Sequence, residues 1–331
     1  MSVADADRYA SMLYRRCGRS GLLLPALSLG AWETFGGYRG AEVARAAIRR
    51  AFDLGITHFD FANNYGVPPG NAEAVCGPIL RELPRDELLI SNKAGFRMWP
   101  GPYGDWGSRK SLIASCDQSL RRMGLEYFDV FYSHRPDPNT PLDETLGALD
   151  HLVRQGKTLY IGLSNYSGVQ LEAAARVVER RQLAPITILQ PRYNLLERQV
   201  EHDPLPHAKL AGAGVIVYSP LAQGLLTARY LADQIPLDSR AAELRGAAWL
   251  RQRLPPARRA ALQALHAVAQ RRGQSLAQLA LAWILRLPGI TSVLMGASST
   301  EQIDENVAAL GNLAFSEAEL QEIDALSAGL A

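Results

Sequence analysis

Eight short apolar runs alternate with helical patterns along this chain, and that alternation limits its fold more than any other feature. Strand patterns fall at 26–30, 57–61, 88–93, 127–134, 158–164, 186–190, 214–219 and 292–296. Helical spacing of apolar residues fills 41–54, 72–83, 108–123, 141–155, 167–180, 203–211, 276–285 and 301–310. A last helix at 316–326 begins with Ser316 as N-cap, and Glu319 closes a capping box. Strands that alternate with helices build right-handed βαβ units and a parallel sheet. Eight of them in one chain fit a closed (β/α)8 TIM barrel better than an open doubly wound sheet. No GxGxxG follows the first strand, which argues against a dinucleotide-binding Rossmann domain. Ahead of the alternation, Tyr14–Cys17 and Leu22–Pro25 flank Gly18-Arg19-Ser20-Gly21 and read as a β-hairpin. No linker or low-complexity run divides residues 1–331, so a single domain is expected.

Four reactive residues stand at the carboxyl ends of successive strands. His58-Phe59-Asp60-Phe61-Ala62-Asn63-Asn64-Tyr65-Gly66 delivers a carboxylate at a strand tip and a phenol on the loop beyond it. The next two strands end in Lys93 and His134. Singly, Asp60 reads as a turn residue, Lys93 as a solvated strand end and His134 as a satisfied interior histidine. In a parallel barrel, however, all these ends converge on the face where catalytic groups gather. A free phenol has a pKa of about 10, and a cation beside it stabilises the phenolate. The set therefore reads as a proton-donor site, with the Tyr65 phenol as donor and Lys93 or His134 as the candidate cation beside it.

Composition excludes several other classes. A net charge of +2 gives no footprint for nucleic acid or a membrane surface. No apolar run approaches the roughly 20 residues of a membrane span, and Met1–Ser11 lacks the apolar stretch of a secretory signal. Cys17, Cys76 and Cys116 have neither metal-ligand nor disulfide spacing, so they read as reduced thiols of a cytoplasmic protein with no metal site. Two insertions interrupt the rhythm. One, 94–107, carries Phe96, Trp99, Tyr103 and Trp106, which could wall a pocket or fold on themselves. The other, 221 to about 256, is rich in arginine, including Arg229, Arg240, Arg245, Arg251 and Arg253.

The ordered quartet Asp60, Tyr65, Lys93, His134 resembles that of the aldo-keto reductase superfamily, from Tyr14 to about Leu326. Further matching stretches are Met123-Gly124-Leu125-Glu126-Tyr127, Gly162-Leu163-Ser164-Asn165, Pro220–Thr227 and Gly296-Ala297-Ser298. Within the superfamily the chain is most similar to the branch of bacterial L-glyceraldehyde 3-phosphate reductases and potassium-channel β subunits. The resemblance implies an NADPH-dependent oxidoreductase that reduces small aldehydes or ketones, with glyceraldehyde-like compounds, glyceraldehyde 3-phosphate or dicarbonyl compounds among them. Tyr65 would protonate the carbonyl oxygen, Lys93 would tune Tyr65, Asp60 would hold Lys93, and His134 would orient the carbonyl. It also implies an NADP(H) site. Ser164, Asn165 and Gln190 would hold the carboxamide, and Tyr218 would stack on the nicotinamide. Ser219, Pro220, Leu221, Gln223, Gly224 and Leu225 would line the pyrophosphate path. Gly296, Ala297 and Ser298 would receive the 2′-phosphate, and Gln302, Glu305 and Asn306 would contact adenine. Trp32 would wall the site beside the cofactor. Ser299 and Thr300 stand where near relatives often carry a basic residue, so Arg229 or Arg240 would supply the phosphate's countercharge. The resemblance is compatible with a homo-oligomer. An alternative reading is an NADP(H)-sensing regulatory subunit like the channel β subunits. The 13 residues before the hairpin are too few for a pore-plugging arm, which weighs toward the enzyme.

Overall fold

A computed structural model describes residues 5–231, 241–328 and 330. Two strands, β1 (Tyr14–Arg16) and β2 (Leu23–Pro25), pair antiparallel as the expected hairpin. Eight more close into a barrel: β3 (Leu27–Gly30), β4 (His58–Asp60), β5 (Leu89–Ala94), β6 (Phe128–Ser133), β7 (Thr158–Ser164), β8 (Ile186–Gln190), β9 (Gly214–Val217) and β10 (Ser292–Met295). Neighbouring barrel strands are all parallel, and β10 closes onto β3.

The helices are α1 (Ala41–Asp53), α2 (Asn71–Leu80), α3 (Arg109–Met123), α4 (Leu142–Arg154), α5 (Gly168–Arg181), α6 (Leu205–Ala211), α7 (Gly246–Arg253), α8 (Pro256–Arg271), α9 (Leu276–Leu285), α10 (Thr300–Val307) and α11 (Glu317–Ser327). Several turn an apolar stripe inward. On α1 the buried residues are Ala44, Ala47, Ile48, Ala51 and Phe52, a three-and-four spacing. Burying Ile48 and Phe52 contributes about 1.5–3 kcal/mol each. The capping box expected on α11 is present, with Ser316 accepting from the Glu319 backbone. The arginine-rich insertion is more regular than its composition suggests. A turn of positive φ at Ala222–Gly224, a short helical turn at Ala228–Tyr230 and the helix α7 lie within it. Helix α8, absent from the sequence reading, follows directly, its Leu262, Leu265, Val268 and Ala269 buried.

Alternation along the strands divides the core in two. Leu27, Leu29, Phe59, Ile90, Phe131 and Leu189 point outward into the layer between barrel and helices. Val130, Tyr132, Ile188, Ile216 and Leu294 point inward and meet Cys17, Leu22 and Leu24, so the hairpin region floors the barrel. Gly162 on β7 is what admits Tyr132: a Cβ there would stand 2.4 Å from its ring carbons. Polar side chains also point inward from β10, β3, β4 and β5: Ser292, Ser28, His58, Asp60, Ser91 and Lys93, all buried. The barrel interior is thus apolar on one side and hydrogen-bonded on the other.

Candidate active site

Asp60 ends β4 and Lys93 lies one residue from the end of β5, so parallel pairing of these strands brings them together. Their side chains form an ion pair with no exposure on either partner, and Lys93 Nζ also donates to Phe61 O at 2.7 Å. The other carboxylate oxygen, Asp60 Oδ1, accepts from Ser91 Oγ at 2.5 Å and from Gln190 Nε2 at 3.2 Å. Burial pulls the Lys93 ammonium below its ordinary value, and Asp60 acts against that pull.

Tyr65 follows the strand on a tight loop, its amide donating to Ala62 O at 3.0 Å. Lys93 Nζ lies 5.2 Å from the centre of its ring. The His134 ring meets it edge to face with centroids 5.9 Å apart. Here burial opposes the effect expected of the lysine. Burial holds the Tyr65 phenol well above its ordinary value, with Asp60 and Tyr218 adding to the rise. Withdrawal from water and the nearby carboxylate both act in that direction, and the lysine is itself paired with Asp60. The phenol is fully protonated at neutral pH. His134 is held neutral, well below its ordinary value, by burial and then by Lys93 and Arg135. Its Nδ1 is buried without a hydrogen-bond partner in the protein.

The site opens into a cavity of about 760 Å³. Asp60, Tyr65 and His134 line one end, and Gln302, Glu305 and Asn306 line another part of the wall, with Lys93 buried beneath Asp60. Of the expected cofactor residues, Trp32, Ser164, Asn165, Gln190, Tyr218, Ser219, Pro220, Leu221, Gln223, Gly224, Arg229, Gly296, Ala297 and Ser298 also line it. Leu225 does not: its side chain is buried and faces a neighbouring cavity of about 110 Å³. Arg240 lies outside the described residues.

Hydrogen bonds lock one wall. Asn165 Nδ2 donates to His134 O at 2.9 Å, Tyr218 Oη to Asn165 Oδ1 at 2.7 Å, and Ser164 Oγ to Gln190 O at 2.9 Å. Asn165, Ser219, Ala222 and Gln223 all have left-handed backbone, with φ of 62°, 56°, 47° and 60°. Such strain costs about 1–3 kcal/mol per residue and clusters where a loop must hold a ligand. Gln223 Oε1 and Asn64 Oδ1, both from wall residues, are buried without protein partners, so the groove is built to be completed by polar groups. At the far wall Ser299 caps α10, while the Ser298 amide donates to Gln302 Oε1 at 2.9 Å.

Sequence reading missed Thr34, Tyr38, Asn64 and Arg192 on the wall. Arg192 sits two residues beyond Gln190, and that adjacency to a strand tip was its available signal. Of the aromatic insertion only Phe96 reaches the cavity. The loop otherwise folds back, with Met98 N donating to Gly104 O at 2.8 Å. Arg135 lies 4.2 Å from the Phe96 ring and 3.6 Å from the Trp106 ring. Among the described residues no His, Cys, Asp and Glu cluster could hold a metal, and no helix is long and apolar enough to cross a membrane.

Comparison with known proteins agrees with this geometry. A family model described as Aldo/keto reductase family matches residues 26–328. The L-glyceraldehyde 3-phosphate reductase of Escherichia coli (strain K12) is 53% identical, covering 97% of this chain and 94% of that protein. A probable voltage-gated potassium channel subunit beta from Oryza sativa subsp. japonica is 37% identical, covering 90% and 91%. Its counterpart in Arabidopsis thaliana is 36% identical over the same shares.

Proposed function

Because the chain belongs to the aldo/keto reductase family, we propose that it is an NADPH-dependent reductase of small aldehydes or ketones, glyceraldehyde-like and glyceraldehyde 3-phosphate among them, with Tyr65 as general acid. The observation that carries this reading is the convergence of Tyr65 and His134 on one end of the cavity, above a fully buried Asp60–Lys93 pair. The 53% identity to a protein named for L-glyceraldehyde 3-phosphate reduction supports the substrate class.

Bound NADPH supplies the hydride to the carbonyl carbon. Ser164, Asn165, Gln190 and Tyr218 lie beside the acid and would hold the reactive end of that cofactor, and Gln302, Glu305 and Asn306 would hold the adenine end. The orphaned Gln223 Oε1 and the strained loop from Ser219 to Gln223 support a polar ligand along the groove between them. Tyr65, protonated at neutral pH, donates its proton to the carbonyl oxygen as negative charge develops there. His134, held neutral, orients the same oxygen by an N–H. Lys93, 5.2 Å from the ring centre, would offset part of the charge of the phenolate that remains, and Asp60 holds the ammonium in place. Phe96 and Trp32 would wall one side of the site. We place the whole of residues 1–331 in one such domain, acting in the cytoplasm.

A second reading, an NADP(H)-sensing regulatory subunit, draws on the 37% identity to the potassium-channel relative. Following NADPH absorbance with a panel of short aldehydes separates the two. Turnover through many equivalents supports the reductase. A single stoichiometric burst overturns it and favours the sensor.

A further inference from the structure

The polar half of the barrel interior forms a continuous chain. Ser292 Oγ and Ser28 Oγ are 2.6 Å apart, and Ser28 Oγ lies 2.9 Å from His58 Nδ1. His58 Nε2 lies 2.9 Å from Ser91 Oγ, and Ser91 Oγ donates to Asp60 Oδ1 at 2.5 Å. All five side chains are at most 1% exposed, so no bulk water competes for these bonds. They come from four adjacent strands, β10, β3, β4 and β5, and form one path that ends at the carboxylate of the active site.

The direction of every bond follows from its end. Asp60, paired with Lys93, is a carboxylate and can only accept. The one Ser91 proton is therefore committed to Asp60, and the Ser91 oxygen must accept from His58 Nε2–H. A neutral imidazole with its proton on Nε2 offers a lone pair at Nδ1. Ser28 must donate to that lone pair, which leaves its oxygen to accept from Ser292. The opposite tautomer would set two lone pairs face to face between His58 and Ser91 in a buried site, a costly arrangement.

We propose that His58 is a positioning residue for the reaction: as the neutral Nε2–H tautomer it carries a one-way chain of hydrogen bonds from Ser292 that ends on Asp60 Oδ1 and keeps the other carboxylate oxygen on Lys93. The inference rests on the reductase reading of Asp60, Lys93 and Tyr65. The chain aligns four donors toward the buried anion, and bonds in such a line strengthen one another. Gln190 Nε2, at 3.2 Å, is the other donor to Asp60 Oδ1 and is longer than the serine bond. With Ser91 satisfied from behind by His58, Asp60 cannot rotate without breaking a charge-assisted bond. Burial independently holds His58 neutral, its pKa lowered to about 4, with Lys93 adding to that and Asp60 opposing it.

Two measurements on the full chain test this. Nitrogen-15 NMR of histidine-labelled protein, with His58 assigned by its loss in His58→Gln, should show the Nε2–H tautomer at neutral pH. An Nδ1–H tautomer or an imidazolium there overturns the relay. Steady-state kinetics of Ser91→Ala and His58→Leu should show kcat lowered about tenfold, as for one lost hydrogen bond to a charged group, with NADPH affinity retained. His58→Gln keeps an N–H toward Ser91 and should recover most of that loss. Parent-like kcat in a folded Ser91→Ala protein overturns the positioning role, and that variant decides the matter if His58→Leu fails to fold. A parent that reduces no carbonyl overturns the functional reading and the positioning role with it, whereas a wrong tautomer overturns the relay alone.

Discussion

Asp60 and Lys93 are joined in an ion pair from which water is wholly excluded, at the base of the cavity that Tyr65 and His134 line. Neither charge can relax into solvent if its partner is removed. Lys93→Met should therefore lower stability by about 3–5 kcal/mol, and Asp60→Asn by a similar amount. The double variant should lose less than the two single losses added together, because it leaves no unpaired charge. Urea unfolding of the three variants measures this. Additive losses would show that the pair is not coupled.

The raised Tyr65 pKa gives a pH prediction whose sign differs from the one its neighbouring lysine suggested. Reduction needs the phenol protonated, and activity falls as pH rises through its pKa. With that pKa held above the ordinary phenol value, reduction should show no alkaline limb assignable to Tyr65 below about pH 10. The profile must be taken with the chemical step limiting. A limb well below that pH, abolished in Lys93→Met, would mean that the cation governs the tyrosine after all.

His58 links stability to pH. An unfolded histidine titrates near pH 6.5, whereas His58 in the fold titrates near 4. Between these values the unfolded chain binds more protons, so stability rises with pH. The contribution is fully present above about 6.5 and is lost as pH falls through 4, up to about 3 kcal/mol. His134 adds to the same trend. Urea midpoints taken from pH 7 to pH 4 should fall more steeply in the parent than in His58→Gln. Parallel slopes would contradict the assignment.

How much of this was visible in the amino acids depends on whether the information was local. The strand and helix alternation is local, and so is the placement of Asp60, Lys93 and His134 near strand ends, which put all three at one mouth of the barrel. Helix α8 was left unassigned although Leu262, Leu265 and Val268 carry a helical spacing. Ser292 and Ser28 could not have been paired beforehand: they are 264 positions apart and meet only when β10 closes onto β3. The Tyr65 pKa depended on the balance of burial against charge, which spacing does not report. Trp99, Tyr103 and Trp106 had aromatic character suited to a pocket wall, yet the backbone contact between Met98 and Gly104 turned the loop onto itself.

Arg229, on the cavity wall, should contribute to discrimination between the two nicotinamide cofactors. If it meets the 2′-phosphate, Arg229→Gln should weaken NADPH by about 1.5–3 kcal/mol and leave NADH nearly unchanged. Isothermal titration with both cofactors checks this. Equal weakening would place Arg229 on the shared pyrophosphate instead.

The central claim is that Tyr65 supplies the proton in a carbonyl reduction, and the most direct measurement pairs kcat for aldehyde reduction with NADPH affinity in Tyr65→Phe. The side chain keeps its ring and its packing and loses only the hydroxyl. The account predicts a fall in kcat of about 10²–10⁴, the usual contribution of general acid catalysis, with cofactor affinity close to that of the parent. A variant that keeps near-parental kcat would contradict it and transfer the role of acid to another group, His134 first.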